Sequence, residues 1–332
     1  MTTEPDRRDR PQAALDATAI VVTYNSQAHI AACLSALERA GLAVHVVDNA
    51  STDHTPRLVA TTFPHVRVVT NPVNVGFAAA VNQALHRVDT DIVVLVNPDC
   101  VLPPPTAQAL LHTLRADAAV GVVGPRLVGV DGRVAISAHP FESLTSLLAS
   151  RFGGALIPVR LRRLLSGRQR RRAYDACRHG EGPLAVDWIS GACLAVRTAL
   201  LRQLGGLDEG YFMYYEDEEL CLQTWRTGAR VLYLPSVTAI HAGGASSGDP
   251  VLLWPHLYRS MLRFFARHHA RTYPIARAAV LLRALLGMAL APAHLPRSCA
   301  PPGARLRAWT RVARIALTAS RTSSRGNPPC TF

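Results

Sequence analysis

Two groups of residues in this chain have types and spacing suited to chemistry. The first lies in residues 91–100 (DIVVLVNPDC), where five apolar residues, Ile92 to Val96, run straight into Asn97, Pro98 and Asp99. Such a run is too short for a typical helix and β-branched enough for a fully buried strand. Ligands of open α/β sheets bind at the C-terminal tips of strands, so a carboxylate delivered there is a candidate to hold a metal ion or a phosphate-bearing ligand. The alternative for Asp99 is a plain Asn-Pro-Asp turn. The second group is residues 211–221, where the aromatics Tyr211, Phe212, Tyr214 and Tyr215 precede four consecutive acids, Glu216 to Glu219. Helix N-termini favour negative charge, so a solvated first turn is one reading. On a helix Asp217 shares a face with Cys221 and Thr224 while Glu218 lies about 100° round it, so one acid is expected to face a crevice and the others water. His241 then opens a Gly/Ser loop, 243–247; a lone His is more often structural.

These residues need a frame, and the spacing supplies one. Short apolar runs at 19–23, 44–47, 66–69 and 92–96 alternate with helical patterns: Ile30, Leu34 and Leu37 stopped by Gly41, then about 53–62, then 77–87. Asn25 or Ser26 is expected to cap the first helix, and Ser51 or Asp53 the second. Alternation of this kind predicts an α/β fold with a mostly parallel, Rossmann-like sheet, helices on both faces and right-handed crossovers. All four runs end in polar residues: Thr23 to Asn25, Asp48-Asn49, Asn71 to Asn74 and Asn97 to Asp99. In a parallel sheet those ends share one edge, so the polar groups converge on one crevice suited to a nucleotide. The first turn, Thr23-Tyr24-Asn25-Ser26, lacks the glycines of GxGxxG, and no GxxxxGK[ST] loop occurs, which excludes dehydrogenase and P-loop modes of binding. Further on, 120–123 reads as a strand, 130–133 as a hairpin turn, and an Arg-rich run spans 160–172.

Composition bounds the class. The chain has 332 residues, 49% hydrophobic and 18% charged, enough for one large α/β domain with an appendage or for two domains. Seven cysteines without a CxxC pair argue against a disulfide framework and a cysteine zinc site, and fit a reducing compartment. The first residues are charged and carry no apolar core of a secretory signal, so a cytoplasmic protein is expected. The net charge of +13 is a property of the tail: residues 251–332 hold 13 of the 36 basic residues and no acid, leaving 23 basic against 23 acidic before it.

The motifs TYNS (23–26), VVDNASTDHT (46–55), NVGFAAAVNQAL (74–85), NPDC (97–100), DWISGACLAVR (187–197), GGLDEGYFMYYEDEELCLQTWRTG (205–228) and HAGGAS (241–246) resemble family-2 inverting glycosyltransferases of the GT-A fold. They look closest to the rhamnosyltransferase-like branch that builds cell-wall and surface polysaccharides. The resemblance implies that Thr23, Tyr24, Asn25, Asp48, Asn49 and Asn97 contact the nucleotide-sugar, with Asn74 and Gly76 lining the diphosphate. It implies Asp99 and His241 as ligands of Mg2+ or Mn2+, although Asn97 stands where the family's Asp-x-Asp motif has its first acid. Trp188, Gly191 and Ala192 would line the sugar and acceptor region. Asp217 would be the catalytic base, with Glu216 as its neighbour. The implied reaction is a single displacement from a nucleotide-sugar, L-rhamnose from dTDP-rhamnose foremost, to a polyprenyl-linked or polysaccharide acceptor. UDP-galactofuranose and UDP-N-acetylglucosamine are alternative donors, and a non-catalytic nucleotide-sugar-binding subunit is the alternative from another class.

The expected organisation is a leader over 1–16, a glycosyltransferase domain over 17–250 (17–125 nucleotide-binding, 126–250 acceptor and catalytic), a basic helical region over 251–319 and a disordered tail over 320–332. Arg259, Arg263, Arg267 and Arg271 recur every four residues as a basic stripe suited to an anionic membrane surface. Residues 275–290 are apolar but broken by Arg277 and Arg283, which disfavours a spanning helix. With few aromatics and no nucleic-acid-binding motif, the tail is not read as binding nucleic acid. A peripheral position at the inner face of the cell membrane follows.

Overall fold

The architecture is that of a computed structural model, which describes residues 16–152, 175, 177, 180–243, 250–291 and 300–319. The Arg-rich run 160–172, the second half of the HAGGAS motif (244–246) and the two chain ends lie outside the described residues. The first half alternates as the spacing predicts: β1 (Thr18–Thr23), α1 (Ile30–Arg39), β2 (Ala43–Asp48), α2 (Thr55–Thr62), β3 (Arg67–Thr70), α3 (Phe77–Leu85) and β4 (Ile92–Val96). There follow β5 (Cys100–Val101), α4 (Pro104–Ala116), β6 (Val120–Val128), β7 (Val134–Ala135), β8 (Ala138–His139) and α5 (Leu144–Phe152). The last part holds β9 (Leu184–Ala185), β10 (Trp188–Ile189), β11 (Cys193–Arg197), α6 (Thr198–Gln203), α7 (Glu216–Arg226), β12 (Arg230–His241), α8 (Pro250–His268), α9 (Tyr273–Ala289) and α10 (Pro302–Thr318).

The main sheet runs β3-β2-β1-β4-β11-β6-β12-β5. Strands β1 to β4 are parallel to one another, β12 is parallel to β6, and β11 lies antiparallel between β4 and β6. Register brings the polar tips into line: Thr23 sits opposite Asp48, and Asp48 opposite Thr70. Side chains alternate across the sheet, as the strand period requires. Ala19 and Val21 pack with Val94, Leu34 of α1 and Leu110 of α4, while Ile20 and Val22 pack with Leu95, Val81 of α3 and Cys221 of α7. Each inner strand is therefore buried on both faces, which is why it reads as an unbroken apolar run. The expected hairpin turn is present: Gly129 N–H donates to Arg133 O at 2.8 Å, joining β6 to β7.

A third core unites α8, α9, α10 and α5 with Tyr211 and Tyr215 of the loop before α7. No helix among the described residues is long and apolar enough to cross a membrane. The first helix differs from its expected start. It begins at Ile30, without a side-chain cap from Asn25 or Ser26, and the second has none from Ser51, though Asp53 Oδ1 accepts the Thr55 N–H at 2.9 Å. Asn25 and Ser51 instead tie the loops after β1 and β2 to each other.

Candidate active site

At the tips of β1 and β2 the polar residues bind one another. Buried Asp48 accepts hydrogen bonds from Ser51 N–H (3.0 Å) and Ser51 Oγ–H (2.6 Å), and Ser51 Oγ accepts the Asn25 N–H at 2.9 Å. Asn25, at a left-handed φ of 51°, accepts the Thr52 N–H at 2.8 Å through Oδ1. Asn49 Nδ2 donates to Gly76 O (3.1 Å) and its Oδ1 accepts from Asn71 Nδ2 (2.9 Å), while Asn74 Oδ1 accepts the Gly76 N–H at 2.9 Å. Gly76 has φ 89°, and a Cβ there would come within 2.6 Å of Phe212 O. Glycine lets the β3–α3 loop lie against the aromatic loop, and Phe77 N–H donates to Phe212 O at 2.8 Å. Thr23 Oγ1 is buried and has no partner among the described residues, and Tyr24 is half-buried beside it in sequence.

The β4 tip carries the first carboxylate of interest. Asp99 is buried, with Oδ1 3.2 Å from His241 Nε2, and β12 delivers that His by pairing antiparallel to β5. Burial would raise the Asp99 carboxyl, but the His241 hydrogen bond and charge outweigh it and hold the group below the usual range. Among the described residues no cluster of three His, Cys, Asp or Glu forms. Among the described residues, Asp99 and His241 are a pair that could hold a divalent cation. The donor set fits one: a carboxylate oxygen and an imidazole nitrogen leave coordination positions for phosphate oxygens and water.

The second carboxylate is placed by strained backbone. Tyr214 and Tyr215 both have positive φ, 68° and 71°, and α7 starts immediately after them. Consecutive left-handed non-glycine residues cost of order 1–3 kcal/mol each and persist only when their surroundings hold them. Here α8 supplies the hold: Ser260 Oγ donates to Met213 O (2.8 Å), Phe264 packs on Tyr215 (5.5 Å between centroids) and His256 stacks on Phe212 (4.5 Å). Asp217 is thereby aimed at the β11 edge, where its Oδ2 accepts the Gly191 N–H at 2.8 Å. Its Oδ1 accepts the Glu218 N–H at 2.9 Å. A Cβ on Gly191 would press on Asp217 Cβ at 3.3 Å. Next in the chain, Ala192 O accepts the Asn97 N–H at 2.9 Å. A continuous path of hydrogen bonds and chain thus joins Asp217, Gly191, Ala192, Asn97 and Asp99. Trp188, anchored by Nε1–H to Pro140 O (3.0 Å), stacks on His139 at 4.4 Å.

The acids divide by partner. Burial raises both Glu216 and Asp217, and the charge of Asp217 raises Glu216 further. Asp217 has two N–H donors that favour its anion, whereas Glu216 Oε2 is buried without a partner among the described residues. The pair therefore shares one negative charge, on Asp217, with the proton on Glu216. The expectation that the remaining acids face water is overturned, since Glu218 and Glu219 are each 3% exposed. Glu218 accepts the Glu142 N–H at 2.6 Å, and burial pushes its carboxyl well up. Glu219 binds Tyr211 O–H (3.0 Å), Gln223 (2.7 Å) and His268 Nε2 (2.6 Å). Burial opposes its charge, but those contacts and Arg267 bring its carboxyl down to about 2.

The expected basic stripe falls on α8 except for Arg271, which lies past the end of that helix at His268. Arg263 Nη2 pairs with Asp208 Oδ1 at 2.8 Å, and Arg267 pairs with Asp208 and Glu219. Two of the four arginines are thus paired with Asp208 and Glu219. His268 and Ser260 escape a reading by sequence because their partners lie far away in the chain; the only signal is that both fall on the face of α8 bearing Phe264.

The sheet order, the crevice at the parallel strand tips and the carboxylates gathered there define an α/β glycosyltransferase of the GT-A fold. The chain matches the description Glycosyl transferase family 2 over residues 18–175. It is 31% identical over 269 residues to the N-acetylglucosaminyl-diphospho-decaprenol L-rhamnosyltransferase of Mycobacterium tuberculosis, covering 76% of this chain and 81% of that protein. It is 45% identical over 85 residues to rhamnosyltransferase WbbL of Escherichia coli, or 25% of this chain and 31% of that one. The mannosyltransferase PcManGT of Pyrobaculum calidifontis, solved with GDP-Man and Mn2+, shares the fold at TM-score 0.53 and 22% identity, covering 92% of this chain and 87% of that chain. The chain belongs to glycosyl transferase family 2.

Proposed function

We propose that this glycosyltransferase moves L-rhamnose from dTDP-rhamnose, with inversion, to N-acetylglucosamine carried on a polyprenyl diphosphate. The observation that supports it most directly is the 31% identity, over most of both chains, to a rhamnosyltransferase whose name specifies that acceptor. The geometry supports the chemistry: one anionic carboxylate, Asp217, is held by two N–H groups on the edge that also carries Asp99 and His241.

In the proposed reaction Asp217 takes the proton of the acceptor hydroxyl as that oxygen forms its bond to the anomeric carbon. The bond from that carbon to the diphosphate breaks, and its electron pair leaves with the nucleoside diphosphate. A single displacement needs no second ionised carboxylate, which agrees with Glu216 being protonated beside Asp217. Asp99 and His241 would hold a Mg2+ or Mn2+ ion, which supplies positive charge to the departing diphosphate. Thr23, Tyr24, Asn25, Asp48, Asn49 and Asn97 form the nucleotide side of the crevice, Asn74 and Gly76 the diphosphate side, and Trp188, Gly191 and Ala192 the sugar and acceptor side. The enzyme is placed at the inner face of the cell membrane, where a polyprenyl-linked acceptor is embedded.

The test is a panel of dTDP-, UDP- and GDP-sugars with Mg2+ or Mn2+. Thermal stabilisation is read first, then product formation on a short-chain polyprenyl diphosphate N-acetylglucosamine. Stabilisation by dTDP-rhamnose with an inverted rhamnosyl product is expected. Turnover with UDP-galactofuranose or UDP-N-acetylglucosamine only would overturn the donor, and binding without turnover or hydrolysis would overturn the enzymatic reading.

A further inference from the structure

The three C-terminal helices bury one side of each helix and leave the others unequal. On α9 the residues turned to the core are Tyr273, Ala276, Ala279, Val280, Ala284 and Gly287. The opposite face carries Ile275, Ala278, Leu282, Leu285, Leu286 and Ala289, all exposed, with Leu282 and Leu285 at 51% and 49%. Their spacing of three and four residues keeps them in one stripe along the helix. Its two arginines do not interrupt this stripe, because both turn towards α10. Arg277 donates to Ala316 O and Leu317 O (2.5 and 2.6 Å), and the Arg283 guanidinium sits 4.5 Å from the Trp309 ring centroid. The outward face of α9 is therefore wholly uncharged, although the sequence of the helix is not.

The neighbouring helix has the complementary pattern. The outward face of α10 exposes Arg307, Arg311 and Arg314 together with Leu306 and Leu317. Thr310 Oγ1 of α10 reaches Met288 Sδ of α9 at 3.5 Å, and both residues border the outward faces, so the apolar and basic faces meet along one seam. No acid occurs after Asp249, so nothing in these helices offsets that charge.

We propose that the outward faces of α9 and α10 are the membrane seat of this enzyme. The α9 stripe enters the boundary between headgroups and acyl chains, and the α10 arginines meet anionic lipid phosphates. Such a surface lies in the interface plane and does not span it. Charge complementarity selects the occupant: an apolar stripe flanked along one seam by an acid-free basic face fits an anionic bilayer, and that basic face would repel a second copy of itself. The inference rests on the membrane placement given above and moves the contact from the α8 arginine stripe to α9 and α10.

The experiment is cosedimentation of the full chain with vesicles of phosphatidylcholine alone and of phosphatidylcholine with phosphatidylglycerol. Wild type is expected to pellet with the anionic vesicles and to be released by high salt. Leu282→Glu with Leu285→Glu should reduce the vesicle-bound to free ratio at least tenfold at unchanged thermal midpoint. A milder variant, Arg307→Ser with Arg311→Ser and Arg314→Ser, should abolish only the preference for anionic vesicles. Wild type that stays in the supernatant, or a folded double-Glu variant that pellets like wild type, overturns the proposal. So does a fall in particle mass from dimer to monomer in the double-Glu variant, which would make the face an interface between copies. Donor binding by thermal shift is read in parallel, so loss of the glycosyltransferase reading is separable from loss of the membrane seat.

Discussion

Asp217→Asn and Glu216→Gln change adjacent carboxyls by the same isosteric step, and the structure assigns them opposite consequences. Asn at 217 still offers one oxygen, but its amide must oppose either the Gly191 or the Glu218 N–H, each now within 2.9 Å of a carboxylate oxygen. One lost hydrogen bond facing a donor costs about 1–3 kcal/mol, and removing a buried anion returns part of that. The thermal midpoint is therefore expected to move by only a few degrees, at about 1–2 °C per kcal/mol for a chain of 332 residues. Loss of a general base removes about 10²–10⁴ in rate, equivalent to about 2.7–5.4 kcal/mol of barrier. Glu216, raised by burial and by the Asp217 charge, is already protonated near neutral pH, so Gln reproduces its working form. Its rate is expected to stay within about tenfold of wild type. The assay is the initial rate of sugar transfer at saturating donor, with donor affinity from calorimetry; Asp217→Asn should lower kcat and leave donor Kd nearly unchanged. Because the Asp217 carboxyl is raised and only its anion can accept a proton, the rate should fall as pH drops through a value above the ordinary carboxylate range. An Asp217→Asn enzyme with more than a tenth of wild-type kcat, or an inactive Glu216→Gln enzyme, would refute the division of roles.

Three further outcomes follow from other parts of the site. Asp99→Ala, which removes the β4-tip carboxylate and leaves His241 without it, should reduce transfer nearly as far as Asp217→Asn; full activity after EDTA treatment would count against a metal there. Gly76→Ala places a Cβ 2.6 Å from Phe212 O at φ 89° and should cost about 3 kcal/mol, lowering the thermal midpoint and weakening donor binding. Gly132→Ala, also at positive φ but with nothing within 4 Å, is the control and should cost about 1–2 kcal/mol. His268→Ala should destabilise by roughly 1–3 kcal/mol at neutral pH, measured by urea unfolding. The Glu219 carboxyl lies lower folded than unfolded, so its stabilisation is complete above its unfolded value near 4.3 and fades as pH falls towards about 2. The wild-type advantage over His268→Ala should shrink through that window, and a constant difference would remove Glu219 as its source.

Much of this protein could be read without coordinates because its information is local. A buried parallel strand must be apolar throughout, so 92–96 announced β4 and its polar tip announced the crevice edge. The convergence of Thr23 and Asp48 followed from alternation alone, and pairing register bears it out. The motif order pointed to the family. What tertiary structure decided is where each charge goes. Four acids in a row look like a solvated first turn, yet Glu218 and Glu219 are buried because α8, the β8–α5 connection and Gln223 supply their partners. The arginines of α8 read as a membrane stripe, yet Arg263 and Arg267 meet Asp208. Those of α9 read as interruptions of an apolar run, yet they fold onto α10 and leave an uncharged face. The left-handed turn at Tyr214 and Tyr215 has no local signature at all, since its stability comes from contacts with α8. Periodicity states which residues share a face; only packing between distant segments states what covers that face and which charges are neutralised.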